Sequence, residues 1–443
     1  MTKNLTKGSI LKNLIYFSLP YLLSSFLQVF YGIADLFIAG QFNGADTITA
    51  ISTGSQIMHM ITVIIVGLAM GTTVMISQAI GGNHRERAQK VIGNSVSLFM
   101  VVALFMTGIL LVCINGIIKV MAVPGAAIEQ AKTYLIICFV GIPFITAYNI
   151  ISCILRGLGD SRTPMYFIAI ACVVNVLMDY VLMGPFHMGA AGAALGTVVS
   201  QTISVICALI YLKKKDMGFH LLKEDYKPEP AIIRQLLRIG IPISLQDGLI
   251  QVSFIIITII ANGRGLIIAA SVGIVEKIIS FLFLIPSTML SSISAIAAQN
   301  IGAGESRRAR RTLGYGICIV LICGFIFSVI CQIIPESIIE LFSDDADVIY
   351  MGADYLRSYV FDCAIAGVHF CFSGFFCAYG RSMISFIHNI SAIVFVRIPG
   401  AYLASKYYPN SLFEMGMAAP LGSLLSALIC IGVYIYLRRK KLI

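Results

Sequence analysis

Of 443 residues, 58% are apolar and only 12% charged, and 31 Lys and Arg against 21 Asp and Glu leave a formal net charge of +10. A mean hydropathy of +0.92 lies far above the range of soluble globular domains and excludes that class. Apolar runs of bilayer-crossing length, about 20 residues, recur from end to end, and the one extended polar stretch, Lys213 to Pro230, leaves no room for a soluble domain.

Runs of this length without strand alternation satisfy their backbone hydrogen bonds as helices, so a barrel is excluded and an all-α membrane protein is expected. In chain order the predicted spans are 14–39, 48–80, 91–118, 131–155, 164–184, 190–212, 233–261, 267–299, 312–335, 350–378, 383–404 and 415–437. Lys3, Lys7 and Lys12 precede the first, as in a signal peptide. That run is too long and lacks an A-x-A-like cleavage site, so it is expected to remain as the first helix.

Orientation follows from Lys and Arg on alternate loops. The N-terminus, loops 81–90, 156–163, 302–311 and 379–382, the central segment to Arg238 and the C-terminus hold most of the basic residues. The opposite loops hold Lys119, Lys132, Arg264 and Lys406, with Glu336, Glu340, Asp344, Asp345 and Asp347 crowding one of them. A multi-pass protein of the cytoplasmic membrane with both termini cytoplasmic is expected. This asymmetry accounts for the positive charge, and no basic patch is left for a nucleic-acid partner. The 12 cysteines lack C-x-x-C or Cys/His spacing and read as small packing residues; Trp is absent, so interfacial aromatics come from 19 Tyr and 26 Phe. No cofactor is implied.

Laid on itself at an offset of about 221 residues, the chain shows an internal repeat. Gln78-Ala-Ile-Gly-Gly with Arg85, Arg87 and Ala88 meets Gln299-Asn-Ile-Gly-Ala with Arg307, Arg308 and Ala309. Pro20 meets Pro242 with one residue of slip, Tyr134-Leu135 meets Tyr355-Leu356, Gly159 meets Gly380, and Ala193 to Gly196 meets Ala419 to Gly422. Two homologous six-helix lobes are expected, residues 1–212 and 233–443, joined by a cytoplasmic linker, 213–232. An even number of helices per half makes the repeats parallel, with a substrate path expected where they meet.

An ionisable side chain near the bilayer centre costs about 3 kcal/mol, which marks such residues as functional candidates. In the first half these are Asp35 and Asp179, with nothing basic at comparable depth. Asn175 lies one helical turn before Asp179 and Tyr31 one turn before Asp35, so each acid has a candidate hydrogen-bonding neighbour. Thr197, in a small-residue span with Gly192, Gly196 and Ser200, adds a hydroxyl. The alternative is two unrelated aspartates bonded to backbone. The second half carries both signs, Glu276, Lys277, Arg357, Asp362 and Arg397, with Asp247 nearer the start of its helix. Mutual ion pairing is the simpler reading there and substrate contact the sharper one. Gln28, Tyr31 and Gln251 complete the residues expected to line a cavity or support it.

Several stretches resemble the multidrug and toxic compound extrusion transporters, of the MOP superfamily, over essentially the whole chain. They are Pro20, Tyr31-Gly-Ile-Ala-Asp35, Leu155-Arg156-Gly-Leu-Gly-Asp160-Ser-Arg162-Thr-Pro164-Met165, Asn175-Val-Leu-Met-Asp179-Tyr180 and Gly189 to Thr197. The resemblance implies a V-shaped pair of six-helix lobes and antiport of H⁺ or Na⁺ against organic cations or amphipathic drugs. In the DinF-like branch, which looks most similar, the coupling ion is held at positions matching Asp35, Asn175, Asp179 and Thr197, the cluster read above from cost alone. The NorM-like branch uses a glutamate where this chain has Gln251, which argues against coupling through the second lobe. A monomer is expected.

A lipid-linked glycan flippase of the same fold would need a basic cavity for pyrophosphate, which Asp35 and Asp179 disfavour. A facilitator-superfamily carrier lacks its loop motif. An intramembrane protease is suggested by Gly157-Leu-Gly-Asp160, but this stretch lies at a cytoplasmic helix end between Arg156 and Arg162. H-E-x-x-H, Walker A and D-D-x-x-D patterns are absent, so neither an enzyme nor an ATP-driven pump is expected.

Overall fold

The computed structural model describes residues 4–121, 123–214 and 221–443; Lys3 and the 215–220 part of the expected linker lie outside them. Twelve helices among them are long and apolar enough to cross a bilayer. They are α1 (Ile10–Phe42), α2 (Ala45–Gly81), α3 (Arg85–Val120), α4 (Gly125–Gly157), α5 (Arg162–Met183), α6 (Gly189–Lys214), α7 (Pro230–Asn262), α8 (Leu266–Gly302), α9 (Ser306–Ile333), α10 (Ala346–Ala378), α11 (Met383–Tyr407) and α12 (Phe413–Arg439). Every predicted span falls on one of them, with 164–184 and 312–335 running one and two residues past the helix ends at Met183 and Ile333. Elsewhere the helices reach or extend past the ends of the apolar runs because their polar ends still close backbone hydrogen bonds.

Three helices are less regular than the hydrophobic pattern suggests. α8 is interrupted at Phe283 and α10 at Val360, and α11 passes through a π-helical turn at Ile393–Arg397. The apolar run continues across each irregularity, so hydropathy does not register it.

The chain divides into two compact units. The main body of the first is Leu19–Leu237; the second is Leu5–Ser18 with Arg238–Ile443. The division therefore cuts α7 just after Leu237 and leaves the start of α1 with the second unit. Hydrogen bonds explain both memberships. In the second unit Leu5 N donates to Gln299 Oε1 (3.0 Å), and Arg308 donates to the carbonyl of Gly8 (3.0 Å). In the first, Asn94 Nδ2 donates to the carbonyl of Asp225 (3.2 Å), Asn94 Oδ1 accepts from Glu229 N (2.6 Å), and Ser97 donates to the carbonyl of Tyr226 (2.8 Å).

Each unit repeats one packing scheme. α4 packs against α2, α3 and α6, and α5 against α6; α10 packs against α8, α9 and α12, and α11 against α12. Between apolar helices in lipid the drive is close packing, which small residues permit. A Cβ at Gly141 of α4 would collide with Val198 of α6, and one at Gly374 of α10 with the backbone of Leu290 in α8. Helix ends match too: Gly159 and Gly380, repeat mates just beyond α4 and α10, both take a left-handed φ, 89° and 68°.

Candidate functional site

The fifth helix supplies the floor of the site. Arg162–Met183 starts where Asp160 caps it: Oδ1 accepts from Arg162 N (3.1 Å) and Thr163 N (3.0 Å), and Oδ2 from the Thr163 hydroxyl (2.6 Å). Asp160 is thus engaged as a helix cap, not as a midplane acid. One turn apart on the same face, Asn175 Nδ2 reaches Asp179 Oδ2 at 3.5 Å, and both residues are fully buried.

α1 brings Asp35, 3% exposed, within hydrogen-bonding reach of both Asp179 and Asn175. Two carboxyl groups can hydrogen-bond each other only if a proton sits between them, and two carboxylates at that range repel unless a cation bridges them. α6 completes the enclosure. A Cβ on Gly196 would collide with Asp179 Oδ1, so glycine is what allows α6 to lie against the acid.

Asp35 Oδ1, Asn175 Oδ1 and Asp179 Oδ1 have no hydrogen-bond partner, nor does Thr197 Oγ1, on the residue after Gly196. Orphaned buried oxygens of this kind need a proton or a cation. Among the described residues no Lys or Arg forms an ion pair with either aspartate. Nor do three His, Cys, Asp or Glu side chains gather as a metal cluster. Two carboxylates and an amide oxygen are hard donors, suited to H⁺ or Na⁺ rather than to a transition metal.

Tyr31 lies near both Asp35 and Gln201 of α6. Gln201 was not singled out from the sequence, although it stands one turn after Thr197 in an apolar span and so shares its face. Gln28 on α1 and Gln251 on α7 are half-buried.

The charged residues of the second unit are arranged otherwise than mutual ion pairing would have it. Lys277 is exposed, and Arg357 pairs with Glu336 (2.6 Å), in the short helix Pro335–Glu340, rather than with Asp362. Glu276 Oε2 accepts from the Thr258 hydroxyl (3.0 Å), Arg397 donates to the Tyr359 hydroxyl, and no ion pair joins Glu276 or Asp362 to Arg397. Helical periodicity cannot supply the reason: the π-helical turn at Ile393–Arg397 re-aims Arg397. The same unit contains a buried histidine pair, His369 and His388, with ring centroids 5.4 Å apart. Sequence reading passed over them, though histidine inside an apolar span is itself a signal. His388 is held by Ser373 (3.0 Å) and Ser426 (3.2 Å).

The family model described as MatE matches twice, at residues 20–181 and 242–403. The probable multidrug resistance protein YoeA of Bacillus subtilis (strain 168) is 26% identical over 453 residues, covering 100% of this chain and 97% of YoeA. YpnP of the same organism, also named a probable multidrug resistance protein, is 29% identical over 420 residues, covering 93% of this chain and 92% of YpnP. Among solved structures, MATE in complex with MaL6 superposes with a TM-score of 0.92 at 20% identity, covering 99% of each chain. That likeness shows a common fold.

Proposed function

Because the chain belongs to the MatE family, as a multi-pass membrane transporter and not an enzyme, we propose that it exports drug-like organic cations by antiport against H⁺ or Na⁺. The relatives named multidrug resistance proteins support the substrate class. The observation that carries the coupling is the burial of two acids, Asp35 and Asp179, each with an unpartnered carboxylate oxygen and no basic partner.

Neutralising the pair removes repulsion between α1 and α5. α1 contains Pro20, which lacks a backbone N–H and so weakens the helix one turn back toward its N-terminus. Loading Asp35 and Asp179 then favours an α1 packed close to α5, bent about Pro20. An empty site favours the other packing, and the organic cation binds one packing better than the other. Linkage does the rest. If the ion weakens drug binding, the drug weakens ion binding by the same factor, which is the thermodynamic content of antiport. Alternation of access between the two sides of the membrane then lets the inward ion gradient drive the drug outward.

Asp35→Asn tests the coupling, since it keeps the side-chain size and removes the charge. Purified Asp35→Asn should fold, insert and fail to extrude a cationic dye under an imposed ion gradient. Extrusion at a rate near that of the parent would refute this reading.

A further inference from the structure

The second unit contains a buried charged cluster that the coupling site does not use. Its centre is Arg397, 7% exposed, which the π-helical turn at Ile393–Arg397 delivers into the unit. Gly422 of α12 makes the space: a Cβ there would stand 3.3 Å from Arg397 Cβ. The guanidinium lies 4.7 Å from the ring centre of Phe254 and 5.8 Å from that of Tyr359, whose hydroxyl accepts one of its hydrogen bonds. Glu276 and Asp362 are its nearest opposite charges, yet neither closes to an ion pair. Asp362 is fully buried with neither carboxylate oxygen hydrogen-bonded, and Glu276 Oε1 and Arg397 Nε are unpartnered too.

Two aromatic faces and two acids around one cation make the cage by which proteins bind organic cations, through the ring quadrupoles and opposite charge together. An ion pair built for stability would instead close to a short bidentate contact, because burying an unmatched guanidinium and two acids is costly. The open spacing and the aromatic face of Phe254 fit a bound cation better than a structural salt bridge.

We propose that this cluster is an organic-cation cage occupied by the protein's own Arg397, a tethered guanidinium that keeps small diffusible cations out of the second unit. Its ligand class, once Arg397 is removed, is a small planar cation of guanidinium type. The proposal does not rest on coupling through Asp35, and its test reads binding rather than transport.

The experiment measures methylguanidinium binding to full-length protein in detergent by calorimetry, with thermal unfolding read in parallel and choline, a cation without planar N–H donors, as control. Arg397→Ala is expected to bind methylguanidinium at least about tenfold more tightly than the parent or the Arg397→Ala/Asp362→Asn double variant. Its lowered unfolding midpoint is expected to rise with methylguanidinium and not with choline. Equal binding by parent and Arg397→Ala, or rescue that survives Asp362→Asn, overturns the proposal. Should Arg397→Ala fail to accumulate, adding Asp362→Asn is expected to restore its yield by removing the charge left unmatched. A double variant that fails while Asp362→Asn alone accumulates normally also overturns it.

Discussion

At the residue scale, the site depends on which groups are absent as much as on which are present. Asp35 and Asp179 have each other and Asn175, and the other ionisable side chains close to Asp35 are Tyr31, Tyr134, Cys138 and Cys172, none of them a cation. Asp179→Asn is therefore expected to behave as Asp35→Asn does, with loss of gradient-driven dye efflux at normal membrane abundance. Loss of abundance in step with loss of efflux would assign the pair to folding instead. Gly196→Ala makes a sharper demand, because its methyl group would displace Asp179. Overpacking of this kind costs about 1–3 kcal/mol, so the variant should unfold at a lower temperature and lose ion-dependent transport together. Retained ion dependence would mean that Asp179 moves aside without consequence. Lys277 is exposed, and Lys277→Ala is expected to leave abundance and ion dependence unchanged. Drug binding that persists in Lys277→Ala without ion dependence would move the coupling site to the second unit.

Helices were legible where hydropathy alone decides, and their breaks were not. Twelve apolar runs identified α1 to α12, but the interruptions at Phe283 and Val360 and the π-helical turn before Ile398 leave the apolar pattern untouched. Two of them lie just before prolines, Pro286 and Pro399, whose missing N–H and ring disturb the preceding turn, a local signal that hydropathy does not weigh; the one at Val360 has no proline beside it. The site divides along the same line. Asp35, Asn175 and Asp179 were readable because burial of ionisable groups in lipid is costly and because i, i+4 spacing fixes a face. The approach of Gln201 to Tyr31 and the surroundings of Arg397 were not, since both depend on contacts between helices distant in sequence. Pro20 makes the element-scale prediction. Pro20→Ala restores a backbone donor to α1 and removes the ring's clash with the preceding turn, so the helix should be stiffer and the protein at least as stable. Dye transport is expected to slow severalfold while ion binding at Asp35 persists. Unchanged turnover would show that α1 does not repack about this residue.

For the whole molecule, the repeat makes a prediction about topology. Loops 81–90 and 302–311 are mates in the repeat, and both are rich in arginine. We place both on the cytoplasmic side. Single cysteines at Asn83 and Gly304, introduced in a background without the 12 native cysteines, should resist an impermeant thiol reagent in intact cells and react after permeabilisation. Labelling of either from outside would overturn the orientation. The two matches of the MatE model, residues 20–181 and 242–403, cover corresponding parts of the two halves. The first carries two buried acids, Asp35 and Asp179, without a basic neighbour, whereas in the second Arg397 lies near Glu276 and Asp362 without closing to an ion pair.

That asymmetry leads to a single decisive measurement: transport of a fluorescent organic cation in proteoliposomes, with pH and Na⁺ gradients imposed separately, for the parent and for Asp35→Asn. The parent should move dye against its own gradient under at least one imposed ion gradient, and Asp35→Asn under neither. Dye movement in the parent that is indifferent to both gradients, or gradient-driven movement in Asp35→Asn at a rate near the parent's, would contradict coupling through Asp35 and Asp179.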